Sequence, residues 1–178
     1  MSRAACLLAI LVLAAGSVSA EQGAKTVTAQ QVLASVKAQG ARDTINELFR
    51  TGSWERSVLP GIETGQRAWL EVARALSPVT DAGSSEDLGD ALVEALLVAP
   101  YSVLPLLKEK WWKTDTVCTF GWDSELPGGV EPYVLRLRAV LEKAAPPRRL
   151  TEMRQECFRG IDATLKDVRE NAQQDTQN

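Results

Sequence analysis

The chain has 178 residues, 45% of them hydrophobic and 24% charged, with a net charge of −3 and no histidine. Without histidine, no Ser-His-Asp or Cys-His relay, no common His-containing zinc site and no imidazole switch near neutral pH can be built. Basic and acidic residues are interspersed, so the basic stripe that nucleic-acid binding needs is missing.

The first segment reads as an export signal. Arg3 precedes the apolar run Cys6–Ala15, and Val18-Ser19-Ala20 offers a small-residue cleavage site before Glu21. The run falls well short of the ~20 apolar residues of a bilayer span, so no stable membrane insertion is expected after cleavage. Removing residues 1–20 leaves 158 residues, enough for one domain with a real core. The expected organisation is a single α-helical domain over 21–170 and a disordered polar tail over 171–178. The expected location is periplasmic or secreted.

Thr28 with Gln31 has the form of a capping box, and a helix carrying Val32, Leu33 and Val36 should stop at Gly40. A second helix is predicted from Ala41 to Arg50, with Ile45, Leu48 and Phe49 facing inward and Gly52 as the stop. Ser53 is the predicted cap of a third segment holding Trp54, Val58, Leu59 and Ile62, interrupted at Pro60-Gly61 by a kink or two short turns. After Gly65, Trp69, Leu70, Val72, Ala73 and Leu76 recur at helical spacing up to Pro78. Residues 79–84 read as a turn. Ser84 or Ser85 should then cap a helix with the stripe Leu88, Leu92, Ala95, Leu96 and Ala99, with Glu86 and Asp87 suiting its positive end. Pro100 restarts the chain as a helix to about Lys110, locally irregular at Pro105.

Residues 111–131 read as a long, irregular connection, with Thr116–Phe120 as a short extended piece. Pro132 opens a helix to about Ala144 with Val134, Leu137, Val140 and Leu141 on its packed face. Pro146-Pro147 breaks it. A last helix is predicted over Arg148–Glu170, where Met153, Cys157, Ile161, Leu165 and Val168 fall at steps of four, four, four and three. The sum is an all-α protein, a compact bundle or stack of about seven short helices. HEAT- or TPR-like hairpins are compatible with the short links, although no repeat signature is readable.

Two cysteines, Cys118 and Cys157, remain after signal removal. An even count in an exported chain predicts one disulfide between them, closing a loop of 39 residues. That bridge would pin the 111–131 connection to the last helix.

The connection carries the candidate binding residues. Trp111, Trp112 and Trp122 are three of five tryptophans in the chain, and Asp123 follows directly. Tryptophan dominates interface hot spots because it covers a large area at low entropic cost, and connections of this length are often functional. The competing expectation is that these rings cover the disulfide and fill the core. Asp115, Asp123, Glu125 and Glu131 supply carboxylates for acid/base chemistry or glycoside hydrolysis, at spacings specific to neither. Ser84-Ser85 with Lys108 and Lys110 match no Ser/Lys signature, and the serines read as caps. Arg148-Arg149 opposes the dipole of the last helix unless Glu152 neutralises it, the alternative being an anion or partner contact. No metal site and no cofactor is expected.

At Gly65, Trp69, Ala73, Leu76 and Pro78, then Ala99-Pro100, then Val117-Cys118, the chain resembles, over residues 53–160, a family of small exported all-helical bacterial proteins with no assigned activity. The resemblance implies an α-helical, disulfide-bearing fold and brings across no catalytic residue. A broader similarity of class is to exported helical immunity proteins. The expectation is a non-enzymatic, exported binding protein of immunity or inhibitor type with an unidentified protein partner. The alternatives are a carboxylate-dependent hydrolase of cell-envelope material and a structural envelope protein.

Overall fold

The structure, a computed structural model, describes residues 26–110, 118, 128–143 and 145–175. Among these residues it is all-helical, with eight α-helices and no strand.

Helix α1 spans Ala29–Gln39. Thr28 accepts from the Gln31 N–H, and the Gln31 side chain accepts from the Thr28 N–H, so the predicted capping box is formed. Gly40, at φ 90°, ends α1 and begins α2, Ala41–Arg50, whose limits match the prediction. Ile45 and Leu48 are buried there with Thr44. Phe49 is not: it is 39% exposed and lies against Trp54, with ring centroids 5.1 Å apart. A tilted ring pair of this kind covers Trp54 from outside while leaving one Phe49 face in water.

Of the kink or two short turns expected at Pro60-Gly61, the structure forms the second, as two five-residue pieces. Trp54–Val58 is a π-helical turn that runs directly into α3, Leu59–Glu63. The Leu59 N–H reaches the Trp54 carbonyl, one residue beyond the α pattern. The wider turn leads straight into Pro60, which has no N–H of its own to give to an α ladder. Ser53 makes no side-chain cap. Its backbone is already helical, and its hydroxyl accepts from Thr51 Oγ1 at 2.9 Å.

Helix α4, Arg67–Leu76, buries Leu70, Val72, Ala73 and Leu76. Two close approaches hold α3 and its following turn in place. A Cβ on Gly61 would overlap the Trp69 ring, and one on Gly65, itself at φ 65°, would stand 2.6 Å from the Ala99 Cβ. Glycine at these two positions lets backbone meet side chain without a gap.

Helix α5, Ala82–Val98, starts earlier than predicted. Asp81, not Ser84 or Ser85, is the cap: it accepts from the Ser84 N–H at 3.0 Å, and the Ser84 hydroxyl accepts from the Asp81 N–H at 2.9 Å. Glu86 and Asp87 therefore fall in the second turn of α5. The α5 core is Leu88, Gly89, Ala91, Val93, Ala95 and Leu96, while Leu92 and Ala99 of the predicted stripe are half-buried. Helix α6, Pro100–Lys110, begins at the expected proline, continues through Pro105 and buries Val103 and Leu104.

Helix α7 spans Val130–Lys143, two residues ahead of the predicted start at Pro132, with Tyr133, Val134, Leu137 and Leu141 buried and Val140 half-buried. After the prolines, a 3-10 turn at Arg148–Leu150 leads into α8, Thr151–Asp175. The predicted stripe Met153, Cys157, Ile161 and Leu165 is buried, with Val168 half-buried. The helix runs five residues past the predicted end at Glu170, as a polar, exposed extension through Gln174.

Helix α5 is the centre of the packing. It meets α3 on one side, α6 on another and α7 on a third, while α4 joins α1, α2, α3 and α6. The α7–α8 hairpin thus attaches to the rest mainly through α5 and through α6 with the 3-10 turn. The buried apolar side chains of the described residues form one continuous core.

Candidate functional site

The candidate binding residues Trp111, Trp112, Trp122 and Asp123 lie outside the described residues, as do Asp115, Glu125 and the extended piece expected at 116–120 apart from Cys118. Glu131 is described, and it stands half-buried in the first turn of α7.

Cys118 fixes where the connection attaches. It is fully buried, has helical backbone, and stands at disulfide distance from Cys157 of α8, with 5.0 Å between the Cα atoms and a sequence separation of 39. Cys157 sits between Met153 and Ile161 on the buried stripe of the longest helix. A chain segment tied there is anchored to the rigid body of the fold and not to a loop.

One residue beyond Cys157, Phe158 lies under two guanidinium groups. Arg154 is 5.0 Å and Arg138 5.6 Å from its ring centroid. Arg138 pairs with Asp162 and lies 3.7 Å from Glu142, and its Nε is buried without a partner among the described residues. Arg154 Nε donates to the Leu141 carbonyl at 3.0 Å, and the Tyr101 hydroxyl donates to the same oxygen at 2.9 Å. These two donors close the last turn of α7, where carbonyls lack helical partners. Burial raises the Tyr101 pKa, and Arg154 opposes that shift. Tyr133 donates to the Val93 carbonyl at 2.6 Å, tying α7 to α5. Its phenol is pushed well above the ordinary range, by burial first and then by Glu94, so it is a fixed donor and not an acid/base group.

Two other features were not read from the sequence. A cleft of about 200 Å³ opens between α1 and α2. Val27, Val32 and Leu48 contribute apolar surface, and Ser53, Thr44 and Glu47 lie among its polar lining. The Thr44 hydroxyl donates to the Gly40 carbonyl, Ser53 accepts from Thr51, and Glu47 is paired with Arg50. These groups are already satisfied and leave no pair of free carboxylates for acid/base work. The second feature is an acidic face on α5. Asp87 accepts from Trp54 Nε1 at 2.9 Å, fastening α5 to the π turn. Asp90 has its pKa raised by desolvation first, then by Glu86 and Asp87. Glu86 and Asp87 were read only as helix-dipole residues, and the one-turn spacing from Glu86 to Asp90 is the signal that pointed further.

Among the described residues, no group of three or more His, Cys, Asp or Glu side chains is placed to hold a metal ion. No described helix is long and apolar enough to cross a membrane. No family model, no curated protein and no solved structure matches the chain.

Proposed function

We propose that this is an exported helical binding protein, periplasmic or secreted, that acts through protein–protein contact in the manner of an inhibitor or immunity protein. The aromatic-acidic connection around Trp111, Trp112, Trp122 and Asp123 is its binding face. The observation that carries this reading is the burial of Cys118 against Cys157 at disulfide distance. Structural disulfides persist in oxidising compartments, which agrees with the export signal. A covalent anchor on α8 also limits the conformations open to the tryptophans on either side of it. Such restraint lowers the ordering cost of binding. The acidic residues of the connection suit a basic partner.

The test is affinity capture from periplasmic extract with the oxidised protein, using Trp112→Ala and Trp122→Ala as controls of checked helicity. One partner captured by the wild type and lost with both folded variants is the expected result. Unfolding of both variants assigns the rings to the core and removes the proposed face. Capture of no partner by the folded, oxidised wild type contradicts the binding role itself.

A further inference from the structure

The connection is not the only charged feature near Cys157. Residues 143–154, at the turn between α7 and α8, hold Lys143, Arg148, Arg149 and Arg154 against Glu152 alone. This stretch carries +3 on a chain whose net charge is −3. Lys143, Arg148 and Arg149 are exposed, and none of the four cations has a carboxylate partner among the described residues. Arg138, one helical turn before Glu142, shows the contrast: it is held by Asp162 and Glu142.

Helix electrostatics does not account for all of these charges. Lys143 lies in the last turn of α7, where a cation is favourable. Arg148 and Arg149 precede α8, where positive charge opposes the helix dipole. Arg154 is preorganised in a way the others are not. Its guanidinium carbon stands over the Phe158 ring, 5.0 Å from the centroid, and the Leu141 carbonyl accepts from its Nε, while no described residue accepts from either Nη group. A planar fork fixed at one end and open at the other is matched to a carboxylate, to which arginine binds through two parallel hydrogen bonds.

We propose that the α7–α8 turn is a second recognition surface, which binds an acidic segment of a partner protein through Arg148, Arg149 and Arg154. This surface is opposite in sign to the aromatic-acidic connection and does not depend on that connection's role. The stacked arginine favours carboxylates over a lipid surface, because headgroup attraction is a matter of total charge and needs no oriented fork.

The probe is a fluorescein-labelled hexaglutamate peptide, titrated by anisotropy with the full chain purified after export with its disulfide formed. Vesicles of phosphatidylglycerol provide the comparison. Binding to the peptide should weaken as salt rises. It should also weaken at least about tenfold in Arg148→Glu/Arg149→Glu, where two exposed charges are reversed. Arg154→Lys keeps the charge and should still weaken binding about fivefold, whereas Arg148→Lys should stay within about twofold. Far-UV circular dichroism checks each variant, and Arg148→Gln/Arg149→Gln replaces the reversed pair if that variant loses helicity. Peptide binding unchanged in the neutralised or reversed pair overturns the proposal. So does an Arg154→Lys variant indistinguishable from wild type, tighter binding to the vesicles than to the peptide, or binding to neither.

Discussion

Around α1–α4, residues close in sequence start and stop each helix: the Thr28–Gln31 box, Gly40, Gly52 and the π turn before Pro60. Around α7 and α8, the fixing contacts join residues far apart. Cys118 reaches Cys157 across 39 positions, while Tyr133 reaches Val93 and Tyr101 reaches Leu141 across 40 each. Local caps set where a helix starts and stops, although α1 and α2 still need packing against α4, and Trp54 Nε1 reaches Asp87 across 33 positions. The C-terminal hairpin, which carries Cys157 and the cations of the α7–α8 turn, is tied to α5 and α6 by contacts remote in sequence. Ordering is supplied there by the Cys118–Cys157 pair at disulfide distance, by the buried hydrogen bond of Tyr133 and by the half-buried one of Tyr101.

That contrast can be broken most strongly at the bridge. Cys157→Ser should cost about 3–4 kcal/mol of stability, the loop-closure value for a bridge of this span. Urea unfolding should show the wild type losing the same amount in reductant and the variant losing nothing further. A wild type unaffected by reductant removes the bridge from the list of stabilising contacts. Next in size is Gly61→Ala on the N-terminal side. Its Cβ must displace the Trp69 ring, and overpacking of this kind costs about 1–3 kcal/mol. Because Trp69 is only half-buried, its emission should shift with the substitution, and an unchanged spectrum with unchanged stability would show that the α3–α4 contact is loose.

The smallest effect separates the acidic face from both ends. The Asp90 carboxyl binds its proton more tightly in the folded state than in the unfolded chain. The charged form is therefore unfavourable above its raised pKa, and folding stability falls as pH rises through that pKa. Asp90→Asn should stabilise the protein slightly at pH 7, with the gain disappearing below the ordinary carboxylate range. A gain that persists at low pH would assign the effect to packing.

The sequence carried the local part of this design and lost the rest for identifiable reasons. Capping boxes, glycine stops and proline starts involve neighbours within a few positions, so α1, α2 and the start of α6 were legible. The stripe from Met153 to Leu165 was legible because period and burial coincide. Phe49 was misread as inward because its position on the apolar face is right, yet its neighbour Trp54 already fills the space beneath. The π turn left no periodic trace, since five residues are too few to reveal a changed repeat. At the start of α5, Asp81 and Ser84 are both good capping residues, and only the backbone shows which of them is the cap and which answers it. The cysteine pairing was expected from the even count and the predicted export signal, and the two residues stand at disulfide distance. The stacking of Arg154 and Arg138 on Phe158 was not legible, because Arg138 comes from a different helix.

We propose an exported protein whose aromatic connection is held to α8 by one disulfide. Intact mass spectrometry of the protein from the periplasm, after alkylation without reduction, tests it most directly. The mass of a chain beginning at Glu21, two hydrogens lighter than the dithiol and carrying no alkyl group, is the predicted result. A chain that still begins at Met1, or one alkylated at Cys118 and Cys157, would contradict it.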